Sequence, residues 1–288
     1  MRFSIITPSF RNSEWLKLCL ASVADQEGVE VEHIVQDAGS DDGTQEWLPS
    51  DPRVRAFIEK DEGMYDAINR GLRRASGDIL AYLNCDEQYL PGALARVRDF
   101  FATHPAVEVL FGDAILVDAQ GAPLSYRRMV LPLRAHVRIV HLNTLTCATF
   151  FRRSIIERGH FFDLHWKVIG DAAWIDGLLR ARVPMATLGE PLAAFTFTGA
   201  NLGASARGTE EAKQFRGPSW KAALAPVLSL QHRLRKWQAG AYRPHSVRYA
   251  LFTKESPGQR VPFAEPQLGF EWPHAPGGMA QAEPSSAP

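Results

Sequence analysis

Cysteine is scarce in this chain: Cys19, Cys85 and Cys147 are the only three in 288 residues. The odd number and the lack of CxxC spacing argue against a disulfide framework or a thiolate zinc site, and fit a reducing cytoplasm. Long apolar runs are missing too. No stretch of about 18 apolar residues occurs, and the opening MRFSIITPSF has no basic segment followed by an apolar one, so neither a membrane span nor a secretory signal is expected. GxGxxG, GxxxxGK[ST] and GxSxG are absent, which removes support for dinucleotide oxidoreductase, P-loop and α/β-hydrolase readings. His141, His160 and His165 show neither HExxH nor i,i+4 pairing and read as surface or packing residues.

What is present is an ordinary globular composition, 45% hydrophobic and 22% charged, enough for one large domain or two small ones. The net charge of zero hides an asymmetry. Residues 1–205 carry 21 Lys/Arg against 26 Asp/Glu, residues 206–260 carry 11 against 3, and residues 261–288 carry 0 against 3. One basic stretch follows an acidic body. No internal repeat occurs, and no nucleic-acid partner is expected.

The first hundred residues alternate strand-like and helix-like segments. Phe3–Thr7, His33–Gln36, Arg55–Ile58 and Ile79–Leu83 read as buried strands. Helices are expected from Ser13, over Met64–Arg74 and over Gly92–Thr103. That alternation predicts βαβ units and a mostly parallel, Rossmann-like sheet flanked by helices. Beyond residue 105, strands are expected at 107–111, 115–117, 146–151 and 192–197, with helices near 153–159 and 171–182, as an extension of the same sheet. Residues 206–260 read as a basic amphipathic helical extension. The tail from 261 is rich in Pro, Gly, Ala and Ser, and order is expected to fade there, at least past Trp272.

In open α/β sheets a ligand sits beyond the carboxyl ends of the strands. Four successive strand ends here deliver Thr7 and Pro8; Asp37, Gly39 and Ser40; Asp61, Gly63 and Asp66; and Asn84, Cys85, Asp86 and Glu87. QDAGSDDGT puts Asp37 where it can accept hydrogen bonds from a base or sugar edge, although its Asp41-Asp42-Gly43-Thr44 part equally makes a polar turn with a helix cap. Asp86 and Glu87 repel each other unless water or a cation compensates them. Either they are a solvated turn, or Asp86 ligates Mg²⁺ or Mn²⁺ with Glu87 as a second candidate. Asp171 opens a helix, where an acid also simply complements the helix dipole, and Asp176 is expected to face solvent.

Taken in order, SIITPSFRN, VQDAGSDDGT, DEGMYDAINRG, GDILAYLNCDEQYLPGAL, CATFFRRSI and GDAAWIDGLLR resemble the motif series of family 2 glycosyltransferases over about residues 1–200. The GMYDAIN block is similar to bacterial polysaccharide transferases, including the colanic acid type. The resemblance implies a GT-A fold over residues 1–205, with a nucleotide-binding half to about 105 and an acceptor half after it. It also implies an inverting enzyme using a nucleotide-diphosphate sugar, a UDP-sugar by family precedent, and a divalent cation (Mn²⁺ or Mg²⁺). By the same resemblance Asp37 contacts the base beside Thr7 and Pro8, Asn84-Cys85-Asp86 stands for the Asp-x-Asp metal motif with Asn in place of the first acid, and Asp171 is the catalytic base. The implied acceptor is a saccharide or lipid-linked molecule in cell-surface polysaccharide synthesis. Residues 219–240 combine an apolar face (Trp220, Leu224, Val227, Leu230, Leu234, Trp237) with Arg233, Arg235 and Lys236. They could hold a cytoplasmic enzyme peripherally on the inner face of the membrane, or pack on protein. The alternatives are a catalytically silent nucleotide-sugar binding protein and a sugar-nucleotide nucleotidyltransferase; the latter wants a glycine-rich phosphate loop that TPSFRNSEW lacks. Oligomeric state is left open.

Overall fold

The computed structural model describes residues 1–198 and 205–273. The chain begins as expected, with β1 (Arg2–Ser9), α1 (Ser13–Ala24), β2 (Glu30–Asp37), a single-turn α2 (Thr44–Trp47), β3 (Arg55–Ile58), α3 (Met64–Arg74) and β4 (Ile79–Tyr82). These four strands lie parallel in the order β3-β2-β1-β4. Phe3, Ile5, Ile6, Ile34, Ile79 and Ala81 are fully enclosed, because a sheet covered by helices on both faces buries every other residue on either side. Helix α3 packs unusually close to β1: a Cβ on Gly71 would lie 2.5 Å from Ile6 Cγ2.

The second half continues with β5 (Glu87–Tyr89), α4 (Ala93–Thr103), β6 (Val109–Val117), β7 (Pro123–Arg127), α5 (Arg134–Ile139), β8 (Thr149–Arg152), α6 (Ser154–Glu157), α7 (Gly170–Arg180) and β9 (Met185–Thr196). It extends the same sheet in the order β4-β8-β6-β9-β5, with β7 on β6. Strands β8, β5 and β7 run antiparallel to their neighbours, while β6 and β9 are parallel to each other. The two strands expected at 107–111 and 115–117 are one, β6, which shifts register against β9 around Asp113. The first part of 146–151 is a 3₁₀ turn, and only Thr149–Arg152 is strand.

The C-terminal region departs from expectation. It contains α8 (Ala206–Arg216) and α9 (Ala225–Gln238), then β10 (His245–Leu251) and β11 (Val261–Leu268), which pair antiparallel. Residues 206–260 are therefore not wholly helical, and the segment from 261 is not irregular up to 268. Val247, Tyr249, Leu251 and Leu268 bury their side chains against Leu90, Ile115, Val117 and Tyr126, and this contact outweighs the proline content of the strand. Arg260 ties the hairpin down through Asp25 (2.7 Å) and the carbonyls of Ala250 and Tyr89. The part of the expected tail beyond residue 273, and residues 199–204 of the expected catalytic domain, lie outside the described residues.

Candidate active site

The strand ends converge as the parallel order requires. Asp37 is fully buried, and its carboxylate accepts from Ser9 Oγ (2.9 Å), Gly39 N (3.0 Å), Ser40 N (2.8 Å) and Ser40 Oγ (2.7 Å). Four donors match the acceptor capacity of a carboxylate, so Asp37 fixes the loop that carries Gly39 and Ser40. Thr7 is turned into the core, its hydroxyl 2.9 Å from His33 Nε2. Thr7 and the buried Pro8 thus meet the rim through backbone only. Gly63 adopts φ +119°, which a side chain would resist, and opens α3; its N–H donates to Asp61 (2.9 Å). Asp66 accepts from Glu62 N and pairs with Arg70 at 2.8 Å. Burial raises the Asp61 carboxyl, and the charges of Asp66 and Asp37 push it the same way, against the hydrogen bond from Gly63. Acids from the ends of two strands and the start of α3 therefore face one another.

The turn after β4 is only partly solvated: Asn84 and Asp86 are half-buried, and Cys85 and Glu87 are buried. Glu87 opens β5 and is 1% exposed; its Oε2 accepts from Asn84 N (2.9 Å), while Asn84 O accepts from Glu87 N (3.0 Å). Cys85 Sγ accepts from Asn12 Nδ2 at 3.0 Å. Burial, with the Asp86 charge beside it, pushes the Cys85 thiol up to about 12 and Glu87 up to about 8. Burial alone raises Asp86. Among the described residues no cationic side chain pairs with Asp86 or Glu87, and Asn84 Oδ1 and Glu87 Oε1 are buried without a hydrogen-bond partner. Two carboxyls and an amide oxygen without a cationic partner are hard oxygen donors of the kind Mg²⁺ or Mn²⁺ takes, and since burial and the Asp86 charge hold Glu87 toward its neutral form, Asp86 is the stronger ligand.

Asp171 stands in the first turn of α7. Its Oδ1 accepts from Ala172 N (2.8 Å) and from Tyr65 Oη at a long 3.4 Å; Tyr65 Oη also lies 3.0 Å from the Val168 carbonyl and accepts from Asp171 N at 3.1 Å. Burial raises the Asp171 carboxyl to about 6, with these hydrogen bonds pulling the other way. Tyr82, at the end of β4, lines a small cavity with Asp171, Thr144 and Trp174 and feels the charges of both Asp171 and Glu87, so both acids lie within electrostatic reach of it.

Sequence reading missed the residues that position Asp171. Asn69, one turn after Tyr65, exchanges two hydrogen bonds with the backbone of Phe162 (2.8 and 3.0 Å), so the i,i+4 face of α3 clamps the acceptor half. Glu211 on α8 accepts from the backbone N–H groups of Lys167, Val168 and Ile169, just ahead of α7. The i,i+4 spacing of Tyr65 and Asn69 was visible, but their partners lie about a hundred residues away. Asp176 corrects another expectation: it is 6% exposed and takes Arg134 (2.8 Å) and Arg138 (3.0 Å).

A family model described as "Glycosyl transferase family 2" matches residues 4–159. A PGL/p-HBAD biosynthesis glycosyltransferase of Mycobacterium tuberculosis is 29% identical over 178 residues, 59% of this chain and 66% of that protein, just under two thirds of its length. An uncharacterised glycosyltransferase of Nostoc is 25% identical over 240 residues, covering 75% of this chain and 72% of that one. Among solved structures, S. aureus TarS 1–349 in complex with UDP-GlcNAc superposes with a TM-score of 0.55 at 15% identity, covering 83% of this chain and 73% of that one. The Pyrobaculum calidifontis mannosyltransferase PcManGT, in complex with GDP-Man and Mn²⁺, gives 0.51 at 15% identity, covering 83% and 77%. With a mostly parallel sheet in this strand order and a family match over more than half its length, the chain belongs to glycosyltransferase family 2 and has the GT-A fold.

Proposed function

We propose that the protein is an inverting, metal-dependent transferase that moves a sugar from a nucleotide-diphosphate sugar, a UDP-sugar, to a saccharide or lipid-linked acceptor in cell-surface polysaccharide synthesis. The observation that carries this reading is Asp171, a carboxylate raised to about 6 and held at a helix start by Tyr65, in a chain that also leaves Asp86 and Glu87, just past β4, without a cationic partner among the described residues. A group of that basicity is mostly ionised at neutral pH and still takes a proton readily. Asp171 removes the proton from the acceptor hydroxyl as it attacks the anomeric carbon from the face opposite the leaving diphosphate, which inverts the configuration. Asp86, with Asn84 and Glu87 beside it, would hold a divalent cation whose Lewis acidity offsets the charge on the departing diphosphate. Asp37 keeps Gly39 and Ser40 in the conformation that receives the nucleotide, with the β1 backbone at Thr7 and Pro8 alongside, while Gly63 and Asp66 shape the opposite wall.

Calorimetric titration of UDP with Mn²⁺, then with EDTA, tests the donor side. Binding that needs metal and disappears in Asp86→Ala is expected; metal-independent binding, or none with UDP, GDP or dTDP, overturns the reading. Nucleotide binding without release of nucleotide from any donor sugar would leave a silent binding protein instead.

The peripheral membrane reading rests on α9 and the turn before it. Trp220, Val227, Leu230, Leu234 and Trp237 are 54–70% exposed, and of the expected basic residues Arg233 is exposed and Arg235 half-buried, whereas Lys236 is buried. No helix among the described residues is long and apolar enough to cross a membrane. Co-sedimentation with anionic but not zwitterionic vesicles, lost in Trp220→Ser/Trp237→Ser, is expected; equal recovery with and without vesicles removes this reading.

A further inference from the structure

A second polar centre lies away from the donor site, where α9 meets α5. His136, on α5, His141, just after it, and His232, on α9, each offer a ring nitrogen, and these three nitrogens all lie within 4.8 Å of one another. The His136 and His232 rings stack at 4.1 Å, and His141 meets His136 edge-on at 4.8 Å. His136 and His232 are buried, and both ring nitrogens of His136 and Nε2 of His232 lack a hydrogen-bond partner. His141 is exposed and opens the cluster to solvent. Unsatisfied imidazole nitrogens in a buried place are costly and call for a ligand.

We infer that His136, His141 and His232 form a three-histidine site for a divalent transition metal of the Zn²⁺ class, which fastens α9 to α5. Three imidazoles with a fourth, solvent-facing position are a coordination set that Zn²⁺ accepts. With Zn–N bonds of about 2.0–2.1 Å, tetrahedral ligand atoms stand roughly 3.4 Å apart, so side-chain adjustments of about 1.4 Å or less close the set. The lone pairs are available at neutral pH. Burial, then the charge of His141, brings His136 down to about 4, and burial with the charge of His136 brings His232 down to about 2. Lys236, Arg235 and Arg127 add positive charge around the cluster, which favours neutral imidazoles but also weakens cation binding, so moderate affinity is expected. Imidazole ligands separate this centre chemically from the hard oxygen site at Asp86.

The test uses the full chain carrying Asp86→Ala, so that the donor-site cation cannot contribute. Chelator-stripped protein is titrated with Zn²⁺ by calorimetry and with Co²⁺ by visible absorption, and its melting temperature is followed with and without Zn²⁺. One equivalent bound at micromolar or tighter affinity, tetrahedral Co²⁺ bands and a metal-dependent rise in melting temperature are expected. His136→Gln and His232→Gln should each abolish all three. His141→Gln, at the exposed member of the cluster, leaves the buried His136–His232 pair in place and should weaken Zn²⁺ binding by tenfold or more with the melting temperature of the metal-free protein little changed. No stoichiometric binding, or binding unchanged in His141→Gln and His232→Gln, overturns the inference whatever the outcome at the donor site.

Discussion

At the scale of single residues, the chemistry turns on how burial and local donors set two carboxylates apart. Asp171 sits at about 6 because burial outweighs the donors around it. If it is the base, transfer under saturating donor should fall about tenfold per pH unit below about 6 and level off above it. Tyr65→Phe removes a donor that pulls the Asp171 pKa down, so the acid limb should move to higher pH, read from a pH–rate profile. Asp171→Asn should bind donor nucleotide normally and lose about 10²-fold or more in turnover; matching losses in binding and turnover would make Asp171 structural. Glu32 shows the opposite balance. Burial opposes its ionisation, but hydrogen bonds from Ser4 and Ser76 and the Arg55 guanidinium hold it down to about 2. A lowered carboxyl stabilises the fold above its unfolded value near 4.5 and loses that contribution as pH falls toward 2. Glu32→Gln should therefore flatten the melting-temperature slope between those values.

At the scale of elements, α7 is held from two sides, by α3 through Tyr65 and by α8 through Glu211. Gly170 lets the first of these approach: a Cβ there would lie 2.5 Å from Tyr65 Cε2. Gly170→Ala should cost about 1–3 kcal/mol by overpacking and displace the Tyr65 hydroxyl from Asp171, seen as lower stability to denaturant together with a shifted pH–rate profile. Glu211→Ala leaves three backbone N–H groups ahead of α7 without their acceptor, and should cost about 1–3 kcal/mol while lowering turnover more than donor binding.

At the scale of the whole molecule, the β10–β11 hairpin closes one flank of the sheet. Tyr249 stacks on Phe263 at 5.4 Å and donates to Gly121 O at 2.8 Å, within a cluster that includes Leu90, Ile115 and Val117. Tyr249→Ala should cost about 3–5 kcal/mol, and truncation before residue 245 should yield insoluble protein, checked by denaturant melts and by soluble expression. The basic charge of residues 206–260 is divided: Arg260 serves the hairpin, Lys236 is buried beside the histidine cluster, and Arg233 stays at the surface near the exposed Trp237.

The β1–β4 half and its rim were legible along the chain, because each strand is a short apolar run, each helix has its own period, and parallel order alone carries four strand ends to one side. Motifs in order also marked Asp86 and Asp171. Folding alone makes Glu87 begin a buried strand, turns the oxygens of Asp37 to its own loop, sets Asp176 between two arginines, and brings His232 to His136 and His141. These depend on contacts between residues tens to hundreds of positions apart. A local pattern records what a segment prefers, and burial against a distant partner decides whether a carboxylate is solvated, neutralised or left bare.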